Sequence, residues 1–206
     1  AFESDDFNET SLDSFWSFVN PPVVDQPNGS YNLTGTGTPD AYLELSAPGG
    51  RDMWNNNQDG VRVMQLARDE DFEVEVKFAS DPLEKNQMQG LLVEQDNGNW
   101  LRFDVFKTSS SFSVFAGSTE NGNSQVQIWE EINAGDAQYL KVKRQGQVWT
   151  FQYSQDGSTW TTAGSFTHSL SVNEVGVFAA NTGNQSTFTS QVDYFFNTAA
   201  PLDPED

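Results

Sequence analysis

The chain has 206 residues and carries 30 Asp and Glu against 10 Lys and Arg, for a formal net charge of −20. A field of this sign repels nucleic acid and anionic membranes, and no apolar run has the length that spans a bilayer. The chain has no cysteine, which excludes a disulfide framework. We therefore expect neither nucleic acid nor a membrane as a partner.

The predicted elements begin with an edge strand and an aromatic anchor within residues 1–20. Two short strands follow within residues 30–45, around a turn at Gly35 and Gly37. Residues 51–60 predict a polar loop that carries Trp54. The strands predicted after this loop are 61–67, 71–79, 87–95, 99–107, 111–117, 124–132, 138–144, 147–154, 159–166, 174–181 and 187–196.

Alternation and turn residues are the basis of these strands. Residues 71–79 (DFEVEVKFA) alternate apolar and charged side chains, which is the period of a half-buried strand. Asn121-Gly122 and Asp156-Gly157 suit hairpins, because Asn and Gly tolerate a positive φ. The polar run from Asn181 to Ser186 predicts a further turn between strands. About thirteen such strands, with no fixed repeat and no long helix, predict an antiparallel sandwich of two packed sheets.

Six segments, taken in order, resemble one family. Their order and spacing are similar to the concanavalin A-like, laminin-G-like jelly-roll domain found at the C-terminus of bacterial β-xylosidases and in related secreted glycan-active proteins. The fold hosts lectins, binding modules, hydrolases and lyases, so it does not fix a function. The segments are DDF at 5–7, DFEVEVKF at 71–78, GLLVEQDNGNWLRFD at 90–104, FQYSQDGSTW at 151–160, VGVFAAN at 175–181 and VDYFF at 192–196.

The resemblance implies an all-β fold, a two-sheet antiparallel jelly-roll β-sandwich of the concanavalin A-like kind. We expect this domain to occupy residues 1–198 and an acidic, proline-containing tail or linker to occupy residues 199–206. The resemblance also implies a secreted, extracellular protein.

A sugar-binding groove is predicted on the outer face of one sheet. Alternation along residues 99–106 places Trp100, Arg102 and Asp104 opposite the core-facing side chains. An aromatic ring beside planar polar groups is typical of carbohydrate recognition. The resemblance implies that such outward residues line the concave sheet, and Arg62 matches an arginine that recurs there. The predicted groove residues are Trp54, Arg62, Glu94, Trp100, Arg102, Asp104 and Trp129. The alternative is that Arg102 and Asp104 form a cross-strand ion pair on a solvated face.

Catalytic carboxylates are not predicted. Jelly-roll glucanases carry E-x-D-x-x-E on one strand; Glu94-Gln95-Asp96 begins that pattern, but Asn99 stands where the second glutamate belongs. Glu94 and Asp104 remain as a pair that could meet by geometry alone. His168, the only histidine, lies in a polar connection and is expected at the surface.

A structural calcium ion is implied by the resemblance, since related jelly rolls tie the N-terminal strand to the last strand through one Ca²⁺. Asp6 and Asp193 match those two places, and Asp5 is a further candidate. The alternative is a pair of ordinary surface acids. Trp16, Trp149 and Trp160 are expected to pack in the core or at the sandwich edge.

The function predicted from these residues is a non-catalytic carbohydrate-binding module. It would recognise a polysaccharide or oligosaccharide and belong to a larger extracellular glycan-degrading protein with a covalently linked catalytic module. Two alternatives stay open: a glycoside hydrolase or polysaccharide lyase that uses the same groove, and an adhesin or cell-surface interaction module. On the first interpretation, Trp100→Ala or Arg102→Ala should abolish binding and leave thermal stability nearly unchanged.

Overall fold

A computed structural model describes residues 1–183 and 186–203, and all regular structure in these ranges is β. Within them, no helix of the length and apolarity needed to cross a membrane occurs. The strands are β1 Ser17–Val19, β2 Ser30–Thr34, β3 Tyr42–Ala47, β4 Met53–Trp54, β5 Asn57–Gln58, β6 Val61–Leu66, β7 Phe72–Phe78, β8 Gln87–Asp96, β9 Asn99–Lys107, β10 Phe112–Glu120, β11 Asn123–Ile132, β12 Tyr139–Gln145, β13 Val148–Ser154, β14 Trp160–Thr167, β15 Glu174–Asn181 and β16 Phe188–Asn197.

Two seven-stranded antiparallel sheets pack face to face. We call the sheet with the order β1-β6-β15-β8-β9-β10-β11 the front sheet, and the sheet with the order β14-β13-β12-β7-β16-β3-β2 the back sheet. Strands β4 and β5 form a separate two-stranded hairpin. The predicted jelly-roll β-sandwich is therefore confirmed.

The main core lies between the two sheets and follows from the alternation in the sequence. On β7, Val74, Val76 and Phe78 are buried in this core, while the charged residues between them point outward. Phe103 of the front sheet meets Phe151 of the back sheet with ring centroids 5.4 Å apart. Trp16 and Trp149 are also buried here, as expected. Trp160 is not: it is only partly buried, and its ring centroid lies 3.8 Å from the Lys141 Nζ, because its position on β14 directs it to the outer face.

The segment 51–60 is the main correction to the predicted elements. It forms the β4–β5 hairpin, with Met53 paired to Gln58 and Trp54 paired to Asn57. Asn55 adopts a positive φ of 54° and allows the tight turn. Strands of two residues carry no visible alternation, which is why the sequence pattern shows only a polar loop.

Two predicted features extend beyond the described residues. The turn expected between Asn181 and Ser186 includes residues 184–185, and the tail expected at 199–206 includes residues 204–206; both short ranges lie outside the structure as described. Strand β16 ends at Asn197, whose side-chain amide donates to the carbonyl of Phe2 at 3.0 Å. The last strand is thereby joined to the N-terminal segment.

Candidate functional site

The outer face of the front sheet carries the predicted groove residues. Trp100, Arg102 and Asp104 point away from the main core, as the alternation predicts. Strand register brings Arg62, Asp104 and Trp129 into one row, although they are far apart in sequence. The full row, from β6 to β11, is Arg62, Phe178, Gly90, Asp104, Phe115 and Trp129.

The β4–β5 hairpin, which we call the cover hairpin, lies over part of this face. The Arg102 Nη1 donates to the carbonyl oxygen of Met53 at 2.7 Å. The Gln58 Nε2 donates to Glu94 Oε2 at 3.0 Å. Asn55 exchanges two hydrogen bonds with Ser124, at 2.6 and 2.9 Å. These contacts hold the hairpin against β8, β9 and β11.

A second apolar cluster lies between the cover hairpin and the front sheet. This cluster excludes Trp100 from solvent, and its ring offers no open face to a ligand. Arg62 is buried as well. Its Nη1 is satisfied by donating to the carbonyls of Gln58 and Gly60 at 3.0 and 2.9 Å. Sequence reasoning placed both residues on the right face but missed the segment that covers them. The buried members of the cluster are Met53, Met64, Met88, Leu92, Trp100, Phe178 and Ala180.

Arg102 and Asp104 form a buried, two-point ion pair. The Nε–Oδ2 and Nη2–Oδ1 distances are 2.8 and 3.3 Å. The two residues are neighbours on one face of the same strand, so the cross-strand, solvated pair considered from the sequence does not form. Burial raises the pKa of Asp104, and the Arg102 guanidinium opposes that rise. The guanidinium also lies 4.3 Å from the centroid of the Phe115 ring.

Four aromatic rings meet where the cover hairpin ends on this face, one from the hairpin and three from β9, β10 and β11. We call them the aromatic patch: Trp54, Phe106, Phe115 and Trp129. Trp129 is 59% exposed, and its ring centroid lies 5.3 Å from that of Phe106 and 5.8 Å from that of Phe115. Trp54 meets Phe115 at 5.9 Å. A Cβ at Gly117 would lie 3.2 Å from the Trp54 ring, so the missing side chain admits that ring.

Two residues of the aromatic patch were predicted from the sequence as groove residues, and two were not. Trp54 and Trp129 were among the predicted groove residues. Phe106 was placed on the outward face by alternation, but its ring alone gave no reason to select it. Phe115 became recognisable only through strand pairing, which sets it between Asp104 and Trp129.

Glu94 and Asp104, the two carboxylates considered from the sequence, do not form a glycosidase-like pair. Asp104 pairs with Gly90 in register, four residues from Glu94 on β8, a separation of about 13 Å along the strands. Glycosidase carboxyl groups lie about 5–9.5 Å apart. Burial raises the pKa of Glu94, and Arg62 opposes the rise. Asp96 is occupied in the β8–β9 turn, where it accepts from the backbone N–H of Gly98 at 2.9 Å.

The two predicted calcium ligands lie near the junction of the N-terminal segment and β16. Backbone hydrogen bonds of 2.8 and 2.9 Å join Asp5 to Phe195. Asp193 forms an ion pair with Lys77, and Asp6 accepts from the backbone N–H of Asn8 at 3.3 Å. Among the described residues, no group of three or more His, Cys, Asp and Glu side chains could hold a metal ion. An ammonium beside Asp193 does not fit a calcium ligand, and calcium stays a prediction.

Asp5, the further candidate, has a different role. It is buried, and its two carboxylate oxygens accept from the backbone N–H of Phe7 and from Trp16 Nε1, both at 2.7 Å. Burial raises the pKa of Asp5 to about 6, although these two hydrogen bonds oppose the rise. Its side chain therefore fastens the N-terminal segment to the end of the core.

The comparisons identify the family. The sequence pattern of the family described as "Protein of unknown function (DUF1349)" matches residues 34–198. The chain belongs to this family. The family has a concanavalin-like jelly-roll fold, in agreement with the two sheets described above. No curated protein matches the chain.

Solved structures share the fold at low sequence identity. The GH43 BlXynB protein from Bacillus licheniformis is 21% identical with a TM-score of 0.75, covering 94% of this chain and 38% of that one. The xylan beta-1,4-xylosidase from Bacillus halodurans C-125 is 17% identical with a TM-score of 0.67, covering 95% and 38%. The CBM2 module of an evolved Dit of Lactobacillus casei BL23 phage J-1 is 12% identical with a TM-score of 0.59, covering 93% of both chains.

The predicted resemblance to the C-terminal β-sandwich of β-xylosidases is confirmed. At these identities the likeness establishes the fold and leaves activity open. The chain spans about two fifths of the two bacterial chains that it matches.

Proposed function

We propose that the chain is a non-catalytic carbohydrate-binding module whose ligand surface is the aromatic patch. The observation that carries this proposal is Trp129, a tryptophan left 59% exposed at the end of a row of outward-facing residues. An exposed indole backed by other rings offers a flat apolar surface for the C–H face of a sugar. Its backing by Phe106 and Phe115 holds the ring in place before any ligand binds.

Polar groups beside Trp129 suit the hydroxyls of a glycan. The Trp129 Nε1 donates to Ser113 Oγ at 3.1 Å, which orients the ring. The exposed Glu131 lies two residues from it on the edge strand β11 and supplies a carboxylate. Gln127, on the other side, donates from Nε2 to Ser118 Oγ at 2.9 Å, which leaves its amide oxygen for a hydroxyl. The buried Arg102–Asp104 pair beneath Phe115 stiffens the platform and does not itself reach solvent. A shallow surface of this kind favours a polymer over a small free sugar.

The biological setting is part of the same proposal. We infer a module of a larger, secreted glycan-degrading protein, in which a linked catalytic module gains effective concentration at its polymer. The fold shared with a xylosidase and with a CBM2 module supports this setting. A net charge of −20 opposes acidic polymers, so an uncharged xylan or glucan is favoured.

Native affinity gels with soluble xylans and glucans test this function. We expect one polymer to retard the wild-type protein, and Trp129→Ala to weaken retardation about tenfold, as for loss of a central aromatic contact. Trp160→Ala is the matched control, because Trp160 is a partly exposed tryptophan on the back sheet, with the Lys141 Nζ 3.8 Å from its ring centroid. It should bind as the wild type does.

Three results would count against the proposal. Retardation by no polymer would move the assignment to an adhesin or interaction module. Cleavage of the polymer into shorter chains by the protein would indicate that the chain has an active site. Equal weakening by both tryptophan variants would mean that the aromatic patch is not the ligand surface. Repeating the gels with calcium and with chelator tests the predicted Ca²⁺ in the same series.

A further inference from the structure

The outer face of the back sheet contains a pocket that the aromatic patch does not use. It is an open cavity of about 450 Å³, within the roughly 300–1,000 Å³ of small-molecule sites. It lies on the opposite sheet from Trp129, so the two sites are separated by the full thickness of the sandwich. The side chains that matter for its chemistry are Asp40, Tyr42, Lys77, Gln138, Tyr139 and Asp193.

A β-bulge directs Asp193 into this pocket. Val192 pairs with Phe78 and Tyr194 pairs with Lys77, so Asp193 is the extra residue on β16. Bulges of this kind re-aim a side chain and recur next to functional sites. The extra residue brings the Asp193 carboxylate to 2.5 Å from the Lys77 Nζ. Both side chains are largely buried, with 13% and 22% of their surface exposed.

The pocket has hydrogen-bonding groups of both kinds and walls of aromatic rings. Asp193 and Asp40 supply acceptor oxygens, and Lys77 supplies donor N–H groups. Gln138 Nε2 donates one hydrogen to Asp81 Oδ1 at 2.9 Å, which leaves its second N–H as a donor. The hydroxyl of Tyr42 donates to Asp40 Oδ1 at 3.1 Å, and the ring of Tyr139 lies 5.8 Å from the Lys77 Nζ. The pocket is lined by one lysine and two aspartates, so its net negative charge disfavours an anionic ligand. The Lys77 ammonium opposes a metal cation.

We propose that this pocket is a second ligand site, which takes a single uncharged sugar unit. A sugar unit matches the mixture of acceptors, donors and rings, since each of its hydroxyls both donates and accepts. Charge-assisted bonds to the Asp193–Lys77 pair would supply most of the specificity. A site of this size and openness predicts a dissociation constant in the millimolar range. The inference does not depend on the aromatic patch.

Amide chemical shifts of ¹⁵N-labelled protein, titrated with D-xylose, D-glucose, D-galactose and L-arabinose up to about 50 mM, test the site. We expect at least one sugar to give saturable shifts at residues 77–79, 138–139 and 193. Asp193→Asn should weaken that binding about tenfold, because it removes the charge and keeps the shape. Asp25→Asn is the matched control, an exposed turn residue at a positive φ of 59° that Asn also tolerates.

Should Asp193→Asn not fold, Tyr42→Phe replaces it, with an expected weakening of about fivefold. No saturable shift at these residues with any of the four sugars would overturn the site. Equal affinity in the Asp193 and Asp25 variants would overturn it too. Trp129→Ala separates the two proposals: it should lose polymer retardation and keep the sugar-dependent shifts on the back sheet.

Discussion

The outer face of the back sheet carries rows of charged side chains, whereas the outer face of the front sheet carries an apolar cluster under the cover hairpin. On β7 and β12 the outward positions include Glu73, Glu75, Lys77 and Lys141. At the outward positions of β6, β8 and β15, methionine, leucine and phenylalanine replace these charges. Because an exposed apolar sheet face is unfavourable, the cover hairpin stabilises the front sheet by removing this cluster from water.

The ion pairs of the two faces show the same contrast. Glu75 and Lys141 on the back sheet lie 3.8 Å apart, and 19% and 16% of their side-chain surfaces stay in contact with water. Arg102 and Asp104 on the front sheet lie 2.8 Å apart and are almost fully buried. Water stabilises the separated partners of the first pair and does not reach those of the second. Similar residues therefore have different energetic roles on the two faces.

The largest expected effect comes from breaking the buried pair. Arg102→Ala leaves the Asp104 carboxylate buried and unpaired, and we expect it to lower the free energy of unfolding by about 3–5 kcal/mol. Urea denaturation measures the change. This revises the expectation from sequence that Arg102→Ala would spare stability. Lys141→Ala on the back sheet should cost less, about 1–2 kcal/mol, because the Glu75 carboxylate that it leaves keeps contact with water; equal losses in the two variants would remove the contrast between the faces.

The second-largest loss of stability is expected when the apolar anchor of the cover hairpin is removed. Met53 is buried in the cluster on the front sheet, and Met53→Ala should cost about 2–4 kcal/mol through lost burial and a remaining cavity. Leu83, which is 74% exposed, is the control, and Leu83→Ala should stay within about 0.5 kcal/mol. A Met53→Ala protein as stable as the wild type would mean that the hairpin does not cover the face.

Asp5, at the end of the core and away from both outer faces, should make the free energy of unfolding depend on pH. The pKa of Asp5 is raised from 3.8 to about 6 in the folded protein. Between these values the unfolded carboxyl releases its proton first, so the free energy of unfolding falls as pH rises from 4 to 6 and then levels off. The Asp5 contribution to this fall is about 2–3 kcal/mol.

Asp5→Asn isolates that contribution from the other acidic groups. Urea denaturation of both proteins at pH 4 and pH 7 should show the variant gaining about 2–3 kcal/mol relative to the wild type at the higher pH. A constant difference at the two pH values would contradict the raised pKa.

The smallest effect is expected for Trp129→Ala. More than half of its side chain is already in water, so its removal should change the free energy of unfolding by about 1 kcal/mol or less. Trp160 is less exposed and contacts Lys141 and Tyr139, so Trp160→Ala should cost slightly more, about 1–2 kcal/mol. Loss of polymer binding without loss of stability is the signature that separates a ligand surface from a structural one.

The sequence by itself determined the sandwich and the face on which each strand residue lies. Period-two alternation fixes which side chains share a face, and residues such as Asn121-Gly122 set the turns between strands. The bounds of β9 and β15 are those expected from the pattern. The outward positions of Trp100, Arg102 and Asp104 follow from the same rule.

Tertiary structure alone decided which outward residues reach solvent. Burial of Trp100 depends on a hairpin of two-residue strands, and the placement of Phe115 beside Trp129 depends on pairing across β10 and β11. The Asp193 side chain enters its pocket through a bulge that adds one residue to the ladder. Alternation describes a residue relative to its own strand, whereas exposure depends on segments distant in sequence that pack over it, and no local pattern encodes those contacts.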